Sequence, residues 1–120
     1  MTQTARQTLG LAGEQLVARH LEHEGFAIVG ANVRVGRLEL DLIARRGPLL
    51  VFCEVRTRAS KAFLDPIDTI DLRKQERIRR AACAWLADRH DDASEVRFDA
   101  AEVVFDPREE PTLTYYECAF

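Results

Sequence analysis

Two acidic residues interrupt alternating, mostly apolar segments in the middle of the chain. Asp41 lies in the first segment and Glu54 in the second, and the turn-forming pair Gly47-Pro48 separates them. This pattern predicts an antiparallel hairpin, and a turn centred on that pair brings Asp41 opposite Glu54. Directly opposed residues have Cβ atoms roughly 4.5–5.5 Å apart, where two carboxylates repel unless a cation or a proton lies between them.

The same register separates the two faces of the predicted hairpin. One face is apolar and the other is charged: Leu42–Cys53 and Leu40–Val55 pair on the first, and Asp41–Glu54 and Glu39–Arg56 pair on the second. A solvated sheet face is one interpretation of the charged pairs. Because Asp is a poor strand former, a divalent metal site is the other interpretation, with carboxylate oxygens that suit Mg²⁺ or Mn²⁺.

Two helical residues are candidates to complete such a site. Glu14 borders the apolar stripe of a first predicted helix, and its alternative role is that of an ordinary amphipathic edge residue. Lys74 lies within the inward stripe of a second predicted helix, which Ile67, Ile78 and Trp85 define. A lysine there either extends its ammonium group to solvent or pairs with a carboxylate of the site.

A basic ridge lies on the outer flank of the second helix. Arg73, Arg77 and Arg80 share that flank at i, i+4, i+7 spacing. The chain has a net charge of −3, yet residues 34–80 carry twelve Lys and Arg against seven Asp and Glu. The ridge is either solvated surface or, beside a metal–carboxylate site, a contact for DNA phosphates.

Seven elements are predicted to position these residues. Two are helices, 8–24 and 67–89, and five are strands, 26–29, 37–45, 49–58, 96–105 and 112–120. Their order predicts an α/β fold with a central mixed sheet flanked by two helices. Since no repeat or linker divides the chain, we expect a single domain over residues 1–120.

The cysteines and the hydropathy limit the environment of the protein. Cys53, Cys83 and Cys118 are odd in number and widely spaced, which predicts buried, reduced thiols in preference to a metal or redox role. No segment approaches the roughly 20 apolar residues of a membrane span, and the first ten residues contain no hydrophobic signal core. These features predict a cytoplasmic protein with no membrane partner.

Four segments together resemble the YraN family of small bacterial proteins. They are LGLAGEQLVARHLEHEGFAIVGANVR, LELDLIAR, LVFCEVRTR and RKQERIRRAACAWL, within residues 9–89. That family is similar to the restriction-endonuclease-like nucleases and is related in fold to archaeal Holliday junction resolvases. The resemblance therefore implies a restriction-endonuclease-like fold with a PD-(D/E)xK-type site.

Two of the family motifs fall on Asp41 and Glu54, the residues that the predicted hairpin brings together, and a third falls on the first predicted helix. They match Gly13-Glu14, then Leu38 to Ile43 with Asp41 as the first metal carboxylate, then Glu54-Val55-Arg56. The chain departs from the pattern at three positions: Arg56 replaces the motif lysine, Leu38 replaces a glycine, and Phe63-Leu64 replaces a Phe-Gly pair. Arginine keeps its proton in proteins, so Arg56 does not activate water as a lysine does.

These observations lead to the hypothesis of a Mg²⁺- or Mn²⁺-dependent nuclease acting on DNA, with branched or junction DNA among its expected substrates. Asp41 and Glu54 would hold the metal, and Glu14 would bind it or orient a water. Arg56 and Lys74 would stabilise the reacting phosphate, and Glu39 would be accessory.

Two alternatives stay open on the same fold. One is a catalytically weak or inactive nucleic-acid-binding module, and the other is a protein–protein adaptor. Cutting a junction needs two sites, so a homodimer is an expectation from family analogy.

Overall fold

The computed structural model describes residues 2–59, 70–89 and 93–120. It contains two helices and five strands in the predicted order: α1 (Gln3–His23), β1 (Ala27–Val35), β2 (Leu38–Arg46), β3 (Leu49–Arg58), α2 (Leu72–Arg89), β4 (Glu95–Val104) and β5 (Thr112–Tyr116). The strands form one sheet in the order β1-β2-β3-β4-β5. All neighbours pair antiparallel except β3 and β4, which are parallel, so the sheet is mixed as predicted.

The two helices cover opposite faces of this sheet. On the face of α1, Val17 and Leu21 pack with Leu42, Cys53 and Ala101. On the face of α2, the core consists of Leu40, Ile43, Leu50, Phe52, Ile78, Ala81, Ala82 and Trp85. The layered architecture is compatible with a restriction-endonuclease-like fold.

Element ends differ from the sequence predictions for local reasons. Helix α1 begins at Gln3 instead of residue 8, because the Thr2 hydroxyl caps it by accepting a hydrogen bond from the Ala5 N–H. Helix α2 begins at Leu72 instead of Ile67, because the Asp71 carboxylate accepts from the Lys74 N–H at 2.8 Å. Ile67 itself lies outside the described residues.

Two strands also differ in length from the predictions. Strand β1 continues to Val35, well past the predicted end at residue 29, and a register shift between Ile28 and Gly30 lets it do so. Strand β5 ends at Tyr116, before the predicted residue 120. Alternation in the sequence is therefore a better guide to where these strands lie than to where they end.

A close approach of helix to sheet explains Gly13. A Cβ atom at this position would lie 3.1 Å from the Cβ of Thr57 on strand β3 and closer still to the Thr57 hydroxyl oxygen. At Gly10, by contrast, a Cβ atom would meet nothing within 4 Å. Gly13 therefore lets α1 reach the part of β3 that follows Glu54, whereas Gly10 has no such packing role.

The cysteine prediction holds at one of the three positions. Cys53 is buried, but Cys83 and Cys118 are exposed, and none of the three forms a disulfide. Cys83 lies on the solvent side of α2, opposite the stripe that packs on the sheet. Within the described residues, no helix is both long enough and apolar enough to span a membrane.

Candidate active site

The β2–β3 hairpin has the predicted register up to the residue where the site begins. Leu42 pairs with Cys53 and Ile43 pairs with Phe52, as a turn centred on Gly47-Pro48 requires. Gly47 has a φ of +57°, which glycine adopts without strain. The predicted register is therefore confirmed from Arg46–Leu49 to Leu42–Cys53, whereas the predicted pairing of Asp41 with Glu54 is not among the backbone pairs.

Beyond Leu42 the two strands no longer pair through their backbones. The N–H of Val55 donates to a carboxylate oxygen of Asp41 at 2.9 Å, so a side chain takes the place of a strand partner. The expected Leu40–Val55 apolar pair is therefore wrong: Leu40 packs in the core under α2, whereas Val55 packs on the α1 side. The departure occurs at Asp41 because its short carboxylate offers a local acceptor to a backbone N–H.

Asp41 and Glu54 form an acidic pair in which Glu54 is buried and Asp41 is half-buried. Burial raises the pKa of Asp41 to about 8, and the neighbouring Glu54 carboxylate contributes to the same rise. The hydrogen bond from the Val55 N–H opposes this shift because it favours the charged form. Ionising both carboxyl groups at once is therefore unfavourable unless a positive charge lies beside them.

Lys74 supplies such a partner from the helix above. Its ammonium nitrogen lies 2.6 Å from a carboxylate oxygen of Glu54, whose side chain is 10% exposed. The Lys74 side chain is 40% exposed, so its stem crosses the edge of the helix while its charged end turns inwards. Of the two roles that the sequence allowed, pairing with a site carboxylate is the one observed.

Glu14 approaches the same acidic pair from α1. One of its carboxylate oxygens is buried without a hydrogen-bond partner among the described residues. Burial raises the pKa of Glu14, and Glu39 and Glu54 raise it further, whereas a hydrogen bond with Asn32 lowers it. Glu14 also lines a cleft of about 500 Å³ together with Asn32 and Glu39.

The remaining predicted residues surround this centre. Glu39 is exposed at the rim, with Arg34 as its cross-strand neighbour. Arg56 lies two residues after Glu54 on β3, and its cross-strand neighbour on β4 is Glu102. Arg73, Arg77 and Arg80 are all exposed on α2, and the only described ion pair of Arg80 is a long one of 3.9 Å to Glu76.

Comparison with known proteins gives the family. The model of the uncharacterised protein family UPF0102 matches residues 13–103, a range that contains every candidate residue of the acidic centre. A UPF0102 protein of Sorangium cellulosum is 44% identical over 119 residues, which cover 97% of this chain and 83% of that protein. The chain belongs to the UPF0102 (YraN) family. The resemblance stated from the four segments is confirmed.

Further relatives extend the similarity along nearly the whole chain. A UPF0102 protein of Acidothermus cellulolyticus is 38% identical over 129 residues, covering 99% of this chain and 98% of its own length. One from Chlorobaculum tepidum is 41% identical over 113 residues, covering 94% and 88%. The sequence similarity therefore covers nearly all of the fold described above.

Besides Glu54, this UPF0102 chain buries Asp99 and Asp106, and neither was predicted from the sequence. Asp99 on β4 is fully buried and accepts hydrogen bonds from both nitrogens of the Arg97 fork, at 2.9 and 3.0 Å. It also accepts from the Tyr115 hydroxyl at 2.6 Å and from the Cys118 N–H at 3.0 Å. Like Asp41, it interrupts an apolar strand, and that signal was available in the sequence.

The hydrogen bonding of these two aspartates separates their roles. Asp99 has a partner for each oxygen and a full opposing charge, so it is explained as a structural tie between β4 and β5. Asp41 receives a hydrogen bond from the Val55 N–H, and its other neighbours are the acids Glu54, with which it shares a side-chain hydrogen bond, and Glu14. Only the environment of Asp41 calls for an additional cation.

The carboxylate oxygens of the acidic centre are possible ligands for a divalent cation. Within the described part of the chain, no three His, Cys, Asp or Glu side chains form a ready-made metal cluster. Magnesium, however, is commonly held by one or two carboxylates while it keeps several waters. Asp41 and Glu54 fit that requirement, and the unpartnered oxygen of Glu14 is an acceptor that a metal-bound water would satisfy.

Proposed function

We propose that this UPF0102 protein hydrolyses phosphodiester bonds of DNA with the help of Mg²⁺ or Mn²⁺. The observation that supports the proposal most strongly is the acidic pair of half-buried Asp41 and buried Glu54, with Lys74 on Glu54. Buried acids that repel each other are costly to the fold, and such pairs are found disproportionately at functional sites. Asp99 shows how the same fold neutralises an acid that has a structural role, and Asp41 is not treated in that way.

In this proposal Asp41 and Glu54 hold the metal, and Glu14 orients a water through its buried oxygen. When bound, the metal supplies a lowered pKa for water and charge stabilisation for the phosphate. Hydrolysis adds water across a P–O bond, so one proton leaves the attacking water and one joins the departing oxygen. Side chains of the protein would have to orient the attacking water and the group that protonates the departing oxygen.

Lys74 and Arg56 provide the positive charge for the reacting phosphate. Lys74 already has its ammonium group at the acidic pair, and lysine is able to give up and regain a proton. Arg56 keeps its charge, so its contribution is limited to stabilising the phosphate. We propose that the part played by the motif lysine in related nucleases is taken here by Lys74.

DNA is proposed as the substrate because of the arginines on α2. Arg77 and Arg80 follow Lys74 along the helix, so their charges extend the positive region away from the acidic centre. The wider residue range 34–80 has an excess of basic residues although the chain as a whole is acidic. Such an arrangement attracts a polyanion to one side of the molecule.

Arg56 favours a second candidate, a DNA-binding module without hydrolysis. If the motif position needs a group that releases a proton, arginine removes the activity and leaves binding intact. The two candidates share the same surface and differ only in whether DNA is cut. A third outcome, a protein–protein adaptor, predicts no salt-dependent binding of DNA at all.

The test is incubation of the purified protein with end-labelled duplex, flap, single-stranded and four-way-junction DNA. Each substrate is incubated with Mg²⁺, with Mn²⁺ and with chelator, and the Asp41→Asn variant is the matched control. The proposal predicts cleavage of at least one substrate that requires metal and is lost in Asp41→Asn. Binding without cleavage in any metal overturns the nuclease and leaves the binding module.

A further inference from the structure

The turn between β1 and β2 lies against helix α2 and forms a basic cleft. The cleft has a volume of about 280 Å³ and is lined by Arg37 from the turn and by Arg77 and Arg80 from the helix. Val35 and Leu38 form its apolar floor. We refer to these five residues as the hairpin cleft.

All charged residues that line the hairpin cleft are positive. Three of its lining residues are arginines, and none of the described lining residues is acidic. The nearby ion pair of Arg80 with Glu76 is 3.9 Å long and highly exposed, so it is weak and easily replaced by a phosphate. Since three guanidinium groups repel one another, they gain from an anion placed between the turn and the helix.

The hairpin cleft lies on the path that leads away from the acidic centre. Arg77 and Arg80 follow Lys74 by three and six residues, which is about 4.5 and 9 Å along the helix axis. A DNA strand carries one charge per roughly 3.4 Å of its axis. A DNA strand that reaches Lys74 would therefore pass these arginines within its next few nucleotides.

The apolar floor suits this kind of ligand as well. Val35 and Leu38 offer surface to the carbon atoms of deoxyribose, while the arginines surround the charged oxygens. Arg73 belongs to the same ridge in sequence but does not line the cleft. The cleft therefore includes Arg77 and Arg80 of the ridge but not Arg73. It also includes Arg37, which the helical spacing did not indicate.

We propose that the hairpin cleft binds the sugar–phosphate backbone of one DNA strand next to the phosphate that is cleaved. This inference rests on the proposed function, because the acidic centre defines where the strand is cut. It assigns Arg37, Arg77 and Arg80 to one contact formed by two elements, and it leaves Arg73 outside that contact.

The test measures DNA binding by fluorescence anisotropy in chelator, where no cleavage takes place, over a range of salt concentrations. The proteins are wild type, Arg37→Ala, Arg77→Ala, Arg73→Ala and Arg19→Ala. Arg19 is exposed on α1, which covers the opposite face of the sheet, and it serves as the control for general loss of charge. Cleavage by the wild type in Mn²⁺ is measured separately.

We expect Arg37→Ala and Arg77→Ala each to weaken binding several-fold and to reduce the salt slope by about 0.7–0.9. Arg73→Ala and Arg19→Ala should match the wild type. If Arg37→Ala binds like wild type while Arg73→Ala and Arg77→Ala are both weakened, the helix ridge binds DNA and the cleft does not. Wild type that does not bind DNA also overturns the cleft, whereas cleft-dependent binding without cleavage overturns only the nuclease.

Discussion

The ammonium nitrogen of Lys74 lies 2.6 Å from a carboxylate oxygen of Glu54, so a charged side chain of α2 is held against the acidic pair of the sheet. The pair is mostly buried on the Glu54 side and partly exposed on the Lys74 side. It places a lysine beside the acidic pair, and Arg56 occupies the strand position at which the resemblance to PD-(D/E)xK nucleases implies a lysine. Activity measurements on these two residues follow directly from that geometry.

Lys74→Ala should lower the rate of DNA cleavage by about 10²-fold or more, the loss typical of a positioned acid–base group. Arg56→Lys should keep or increase the rate, because it restores a smaller cation that is able to release a proton. Both rates are measured in Mn²⁺ beside the wild type, and circular dichroism checks that each variant is folded.

One result with Lys74→Ala and Arg56→Lys would contradict the role proposed for Lys74. If cleavage is absent in the wild type and present only in Arg56→Lys, Lys74 has not taken over the role of the motif lysine. The natural protein would then be a binding module that one substitution converts into a nuclease.

The stability of the metal-free protein should fall as the pH rises from about 4 to 8. Asp41 has a pKa of about 8 in the folded state against 3.8 as its ordinary value, so over this range the unfolded state releases a proton that the folded state keeps. Each unit by which the pKa is raised corresponds to about 1.4 kcal/mol of stability lost on the alkaline side.

Asp41→Asn isolates this contribution because an amide does not titrate. Urea unfolding in chelator at several pH values should show a decline for the wild type that is much smaller in the variant. The Asn oxygen can still accept from the Val55 N–H, so the variant should be the more stable protein at pH 8. Equal pH profiles would show that Asp41 ionises normally and that the acidic pair is not strained.

Gly13→Ala should destabilise the fold by about 1–3 kcal/mol, because the added methyl group collides with Thr57. Gly10→Ala in the same helix is the matched control, since its methyl group meets nothing within 4 Å. Gly10→Ala should be stabilising by about 0.5–1 kcal/mol through helix propensity. Chemical denaturation measures both, and a stabilised Gly13→Ala would contradict the close packing of α1 on β3.

Tyr115→Phe should cost about 1.5–3 kcal/mol, because it removes a hydroxyl that donates to the buried Asp99 carboxylate at 2.6 Å. Tyr116→Phe, one residue further on β5, is the control and should be within about 0.5 kcal/mol of wild type. Neither change should alter the response to Mn²⁺, since Asp99 belongs to a structural network. A loss of metal response in Tyr115→Phe alone would move the functional centre towards Asp99.

The sequence was sufficient for the order of the elements and for the register of β2 and β3, because apolar alternation and a Gly-Pro turn determine both. It was not sufficient for the point at which the strands separate, since that depends on a hydrogen bond from Val55 to Asp41. Asp99 was missed although it carries the same signal as Asp41, because its burial and its bonds with Tyr115 and Cys118 depend on how the C-terminal segment packs against β4. The hairpin cleft was missed for the same reason, since Arg37 and Arg77 meet only in the folded chain.

The central claim is that Asp41 and Glu54 form a divalent metal site, and thermal unfolding with increasing Mn²⁺ tests it most directly. A cation that binds only the folded state stabilises it by about 2.7 kcal/mol at 100 times its dissociation constant. Glu22, exposed on α1, supplies the control Glu22→Gln. We expect Mn²⁺ to raise the melting temperature of wild type and of Glu22→Gln by several degrees and to leave that of Asp41→Asn almost unchanged. Identical shifts in wild type and Asp41→Asn would contradict the central claim.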